Sequence, residues 1–262
     1  MKRLLFLLLM AGGRASAQEL FVFTEPASNM ATRSLGVRLD NSFYNTGAYR
    51  LGTELMWGAA RRWMVHVYGY ASDMYQPAFR AEGGSLYTKY RFYARDAVHR
   101  HFRVAAFGKA AWSNDPDSVG AIHPDEIDLG GSNSGVEGGL VATQLLHKLA
   151  LSASTAYLRR FGPEGPSREA FDYTASAGLL LLPVHYTSYR QTNVNLMCEL
   201  LGSAALDKRA GFTDLGPALQ FIFGSVARLD LGWRTQVAGQ MERLSRSSVF
   251  VRLEYNFLDA YR

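Results

Sequence analysis

From residue 33 onward, apolar and polar residues alternate with a period of two rather than 3.6. The alternation predicts strands over 33–40, 47–59, 63–73, 83–95, 101–113, 133–145, 149–160, 172–183, 192–205, 213–223, 226–238 and 247–257. Each runs about 8 to 14 residues, where soluble strands average about 5 to 6 and a tilted membrane strand needs about 9 to 11. In the second segment Tyr49, Leu51, Thr53, Leu55, Trp57 and Ala59 share one face, and Arg50, Gly52, Glu54, Met56 and Gly58 the other. The last sets Val249, Val251, Leu253, Tyr255 and Phe257 against Arg252, Glu254 and Asn256. A soluble sandwich buries such an apolar face, whereas a membrane barrel turns it to lipid, so alternation alone leaves both open.

The links between segments separate the two. After even-numbered segments they are short (60–62, 96–100, 146–148, 184–191 and 224–225). After odd-numbered ones they are mostly longer (41–46, 74–82, 114–132, 161–171, 206–212 and 239–246). Short turns at one end and longer loops at the other predict an all-β, transmembrane antiparallel up-and-down β-barrel of about 12 strands over 33–262, with both termini on the short-turn, periplasmic side. Tyr and Trp near segment ends (Trp57, Trp63, Trp112, Tyr157, Trp233) suit interfacial girdles. Cys198, on the apolar side, reads as a small lipid-facing residue.

The beginning of the chain has a different pattern. Lys2 and Arg3 precede the apolar run Leu4 to Met10, and Ala15-Ser16-Ala17 follows before Gln18. A basic start, a short apolar stretch and small residues at the cleavage point predict a signal peptide over 1–17, and so export. The run is too short to span about 30 Å of hydrocarbon. Residues 18–32 then form a periplasmic N-terminal extension. Its Leu20–Phe23 cluster and Thr24-Glu25-Pro26 turn need something to pack against. Three outcomes stand open: a cap across the periplasmic mouth, a gate folded inward, or a docking strand for a periplasmic partner.

Two stretches resemble a known group. The run Gln18 to Met30, followed by Arg33-Ser-Leu-Gly-Val-Arg38, is similar to Gram-negative outer-membrane barrel proteins grouped as transporters and related to the barrel of the phenol-degradation meta-pathway. Phe250 to Phe257 resembles the aromatic final strand read by the barrel-assembly machinery, except that five residues, Leu258–Arg262, follow it. The resemblance implies an outer-membrane location, contact with outer-membrane lipids and lipopolysaccharide, and passage of a small solute; it names no solute.

Composition narrows the function classes. The 262 residues are 48% apolar and 13% aromatic, which excludes a mainly disordered chain. Net charge is +5, but residues 1–17 carry three bases and no acid, so the remainder is only +2. With no basic run, a nucleic-acid partner is not expected. One cysteine forbids an internal disulfide. Gly131-Ser-Asn133-Ser-Gly135 has Asn where a nucleophile elbow needs Ser, so a barrel-type lipid-modifying enzyme is only a remote alternative. Asp115-Pro-Asp117-Ser-Val119-Gly120 with Glu126 matches four calcium-loop positions, but Val119 breaks a ligand position and the segment reads as an acidic surface loop. His99 and His101 flank a turn and read as solvated. No catalytic residue, metal or cofactor is assigned.

The charged residues on the non-lipid face are the candidate functional set: Arg50, Glu54, Lys89, Arg91, Arg103, Lys109, Glu137, Glu199, Arg228, Asp230, Arg234, Arg252 and Glu254. They would line a narrow polar channel, or pair into a network that plugs the lumen. Twelve strands fall between filled eight-stranded barrels and open porins of 16–18 strands, so size allows either.

Overall fold

The computed structural model describes residues 21–74, 78–98, 100–114, 125–162, 167–185, 188 and 190–261. Its strands are β1 (Leu35–Tyr44), β2 (Tyr49–Ala60), β3 (Trp63–Ser72), β4 (Arg80–Ala97), β5 (Arg100–Ser113), β6 (Gly135–Leu146), β7 (Leu149–Arg160), β8 (Glu169–Leu182), β9 (Asn193–Ala205), β10 (Gly211–Phe223), β11 (Ala227–Gly239) and β12 (Ser247–Phe257). Each pairs antiparallel with its sequence neighbours, and β1 closes the barrel against β12. Closure leaves no sheet edge, so every strand finds backbone partners on both sides. β1 runs four residues beyond the expected end because Asn41 and Ser42 pair on both flanks, with Leu51 and Arg50 of β2 and with Val251 and Phe250 of β12. Their polar side chains suit a wet mouth.

The two faces are opposite in character. Along β2, Arg50, Gly52, Glu54, Met56 and Gly58 are buried, while Leu55 is 61% and Trp57 45% exposed. Leu35, Val37, Leu39, Leu86, Leu231, Val249 and Leu253 are likewise exposed on the outside. A monomeric soluble domain rarely exposes apolar patches beyond a few hundred Å². The charged side faces in and the apolar side out, the inverse of a sandwich. Trp57, Trp63, Trp112 and Tyr157 lie on the outer surface near strand ends; Trp233 is also on the outer surface but at the middle of β11, and Cys198 is exposed in mid-β9.

Of five shifts in register, two aim particular side chains, at Glu82 and at Phe92. A bulge adds one residue to one strand and re-aims the side chains beyond it. The first turns Glu82 into the lumen beside Ser72. Pro217, in mid-β10, has no N–H to give, and the β10–β11 register skips from Leu215 to Ala218 around it.

Residues 21–34 form no strand. They enter from the short-turn end, where Arg33 N–H bonds the Gly58 carbonyl at 2.9 Å, and run through the barrel interior. Phe21 and Val22 pack against Ala150, Met197, Ala218 and Phe250, and Ala27 against Ala105 and Val141. From the opposite end, Ile127 and Leu129 of the long β5–β6 connection fold inward onto Ala111, Ala156, Leu158 and Ala170.

Candidate functional site

The site is the lumen, and its centre is occupied by the chain's own N-terminal segment. The backbone N–H groups of Val22, Phe23 and Thr24 donate to the Glu199 carboxylate at 2.8, 2.9 and 2.8 Å. One buried carboxylate thereby satisfies three donors of a segment that has no ladder partner of its own. Arg252 Nη1 donates to the Val22 carbonyl at 2.7 Å, and Ser176 Oγ to Thr24 Oγ1 at 2.9 Å. Further along, Lys89 Nζ meets Glu25 Oε1 at 2.8 Å and the Pro26 carbonyl at 2.5 Å. Ala27 N–H donates to Thr143 Oγ1 at 2.9 Å, and Arg103 Nη1 to Ser28 Oγ at 3.0 Å.

These partners lie on β4, β5, β6, β8, β9 and β12, so the segment crosses the lumen at mid-height and is tied to opposite walls. This is deeper than a cap across the mouth. Phe23 supplies the shape fit. A Cβ placed at Gly216 or Gly232 would fall 2.8 Å from its ring, so these two glycines form the notch that receives it. Phe250 closes the notch, ring centroids 5.4 Å apart.

Above Phe23, toward the long loops, lies a cavity of about 190 Å³ whose wall includes Arg50, Asp128, Asp214, Arg234 and Arg243. Arg50 is held by Glu82 at 2.9 Å, Asp128 at 2.6 Å and Ser132 at 2.7 Å. Arg234 and Arg243 share Asp214 at 2.6 and 2.7 Å, and Arg243 also reaches Glu126 at 3.0 Å. The Arg243 guanidinium lies 3.6 Å over the Phe212 ring, a cation–π contact. Planar guanidinium forks hold such multi-partner geometry. Burial pushes the Asp128 carboxyl up, but Arg50, Ser132 and the Gly130 N–H outweigh it and hold it well below the usual carboxylate range. Burial likewise opposes the charge on Arg243, and Glu126 with Asp214 restores it, leaving its pKa raised.

Beside and below the segment is a second charge cluster. Arg38 Nη1 is 2.6 Å from Glu54 and its Nε 2.9 Å from Glu254; Glu54 also contacts His66 Nδ1. Arg228 lies 3.1 Å from Asp230 and 2.8 Å from Glu254, and Arg252 2.7 Å from Asp40. The Arg228 contacts are close charge pairs whose atoms are not aligned as hydrogen bonds. All of these side chains come from β1, β2, β3, β11 and β12.

The thirteen residues singled out from the sequence therefore fall into groups, two of which meet at Arg252. Glu199, Lys89, Arg103 and Arg252 fasten the N-terminal segment; Arg50 and Arg234 line the upper cavity; Glu54, Arg228, Asp230 and Glu254 belong to the lower cluster. Lys109 lies over the Tyr68 and Tyr70 rings at 5.8 and 5.9 Å and faces Glu137 across the β5–β6 register. Arg91 is half-buried and bonds the Arg61 carbonyl in a turn at 2.9 Å.

Several partners lay outside that set. Glu82 is turned inward by a bulge that no alternation announces. Asp128 and Arg243 come from loops, and Glu25 from the segment before the strands. Arg38 and Asp40 were legible in the alternation of β1, opposite Leu39. Of the other motifs, Asn133 Oδ1 accepts the Asp128 N–H at 2.8 Å and Ser134 Oγ the Ser113 N–H at 2.8 Å, so the glycine-serine run shapes a loop. Residues 115–124 of the calcium-like pattern, and His99, lie outside the described residues. His101 Nδ1 is 2.8 Å from Asp96.

Neither a family model nor a curated protein matches the chain. Among solved structures, it is similar to an outer-membrane channel from Pseudomonas putida F1, with a TM-score of 0.56 and 10% identity over 90% of this chain and 100% of that one. It is also similar to the NanC porin, with a TM-score of 0.51 and 11% identity over 85% and 98% of the two chains. At these identities the likeness is one of fold alone, a closed antiparallel barrel.

Proposed function

We propose that the protein is an exported outer-membrane barrel providing a narrow, gated passage for a small solute, and that residues 21–34 lodged in its lumen are the closed gate. The observation that carries this is the upper cavity. It opens among the long loops, is walled by fixed charges, and ends on Phe23, which belongs to the segment before the first strand and not to the barrel wall. The solved barrels of similar fold are named as a channel and a porin, which supports the same reading. The leader over 1–17, cleavage behind Ala17, assembly through the Phe250–Phe257 strand, and membership of the transporter group related to the phenol-degradation barrel belong to this proposal, as does non-enzymatic action.

A second reading, a structural barrel with a permanent plug, is favoured by the number of ties on the segment. The two diverge in planar bilayers. Deleting residues 18–32 while keeping the leader should leave barrel assembly intact and raise conductance and solute flux. The intact chain should open intermittently under voltage. A deletion variant that conducts beside an intact chain that never does would establish the permanent plug. Unchanged permeability in a correctly assembled deletion variant would overturn the gate.

A further inference from the structure

We propose that the outer surface of β4, β5 and β6 at the short-turn end binds an anionic phospholipid of the adjoining leaflet through its phosphate. The site begins with the bulge at Phe92. Arg91 pairs with Ala105 and Tyr93 with Val104, so Phe92 is the extra residue. Before it, Lys89 and Ala105 point inward and are buried. By strict alternation Tyr93 and Arg95 would join Arg91 on the inside. The bulge reverses them, and they join Val104 and Phe102 of β5 and Ala142 and Gln144 of β6 on the lipid-facing side.

The result is a pocket of about 370 Å³ lined by Tyr93, Arg95, Arg100, Phe102, Gln144 and Leu146. Arg95 is paired with Phe102, and Arg100 stands two positions further on the same face, a diagonal spacing of about 7–8 Å between backbones. Two guanidinium groups at that spacing can both donate to one phosphate between them. Asp96, the acid between them in sequence, takes the opposite face, where His101 and Arg103 engage it at 2.8 and 3.3 Å. Among the described residues lining the pocket there is no acid, so neither guanidinium has a carboxylate beside it in that lining. Arg61 and Arg62 are exposed in the neighbouring turn and deepen the positive field.

The surroundings specify a lipid over a free anion. Tyr93 and Phe102 stand edge to face, ring centroids 5.9 Å apart, at the apolar margin of the pocket. Beyond them toward the bilayer centre, Val104, Ala106, Leu140 and Ala142 continue the same outer face. With the exposed Leu140 and Tyr90 this face offers apolar surface to an acyl chain next to the pocket. Trp57, Trp63, Phe223 and Phe257 mark the aromatic girdle near this end of the barrel, so the two arginines sit at headgroup depth. A lipid with a phosphodiester and no ammonium complements this charge; a zwitterionic headgroup brings its own cation. The inference rests on the membrane reading of the barrel, and takes the leaflet from its orientation.

The test uses the purified, folded barrel in detergent, with phosphatidylglycerol retention measured by native mass spectrometry against phosphatidylcholine. The intact chain should prefer phosphatidylglycerol by about tenfold or more, and the double variant Arg95→Gln, Arg100→Gln should lose that preference. Arg61→Gln with Arg62→Gln, on the adjacent turn, should keep most of it. Heat-modifiable migration certifies that each variant is folded. Equal retention of the two lipids by the intact chain, or undiminished phosphatidylglycerol preference in the folded double variant, overturns the proposal. Full competition by inorganic phosphate, which has no acyl chains, also overturns it by making the pocket a plain anion site. The readout does not depend on conduction, so a failed channel leaves it standing. Absence of the protein from the outer-membrane fraction would instead remove the membrane reading itself.

Discussion

A single carboxylate organises the centre of the lumen. Glu199 is buried and takes three consecutive backbone N–H groups, a load usually borne by a strand partner. Replacing it with Ala while the segment stays in place would leave three buried donors unpaired, at a cost of roughly 1 kcal/mol or more each. Leaving the lumen lets water satisfy them, so the equilibrium moves outward by at least about 3 kcal/mol, on the order of a hundredfold in the open population. In an Ala27→Cys, Cys198→Ala background, Glu199→Ala should accelerate thiol labelling at position 27 by about that factor. Labelling at the parent rate in a folded variant would show that Glu199 is not the latch. The neighbouring glycines act through shape: Gly216 and Gly232 leave the space that the Phe23 ring fills.

Two irregular elements, the N-terminal segment and the β5–β6 connection, hold the lumen from opposite ends, each through an acid–base tie. Burial pushes the Glu25 carboxyl up, yet Lys89, His66 and Arg38 outweigh it and leave its pKa below the ordinary 4.5. Asp128 is likewise lowered, by Arg50 and Ser132 against the effect of burial. For a carboxyl lowered in the folded state, the stabilisation is complete above its unfolded pKa and disappears only as pH falls through the lowered folded value. The Glu25–Lys89 and Asp128–Arg50 ties should therefore hold from pH 7 to pH 5, with their loss confined to pH values below the ordinary 4.5. Conductance of the intact chain in planar bilayers checks this; opening between pH 7 and 5 would mean another titrating group controls the ties. The strands behave differently from these elements. Their limits and faces were readable because alternation is a local property of extended backbone, decided by each residue and its neighbours. β4 shows where that reading stops: its bulges at Glu82 and Phe92 change the parity, so Glu82 turns in and Arg95 turns out without any signal in the pattern.

At the scale of the whole molecule, the barrel presents apolar side chains outward around its circumference and keeps its charges within. A closed ladder with no free edge resists detergent, so unheated protein should migrate faster than heated protein on a denaturing gel and be recovered with the outer-membrane fraction. A soluble periplasmic product or a helical circular-dichroism spectrum would contradict the arrangement. The strands, the lipid-facing side and the sorting of short and long connections were all present in the residues in order, since period-two alternation and turn spacing require no knowledge of distant contacts. The occupant of the lumen was not. Val22 meets Glu199 and Arg252 across 177 and 230 positions of sequence, and Lys89 meets Pro26 across 63. Those meetings depend on closure, strand stagger and bulges, which together decide which inward charges share a level. Periodicity can assign a charge to the inside of a barrel; only the closed structure decides whether it faces water, another charge, or the chain's own beginning.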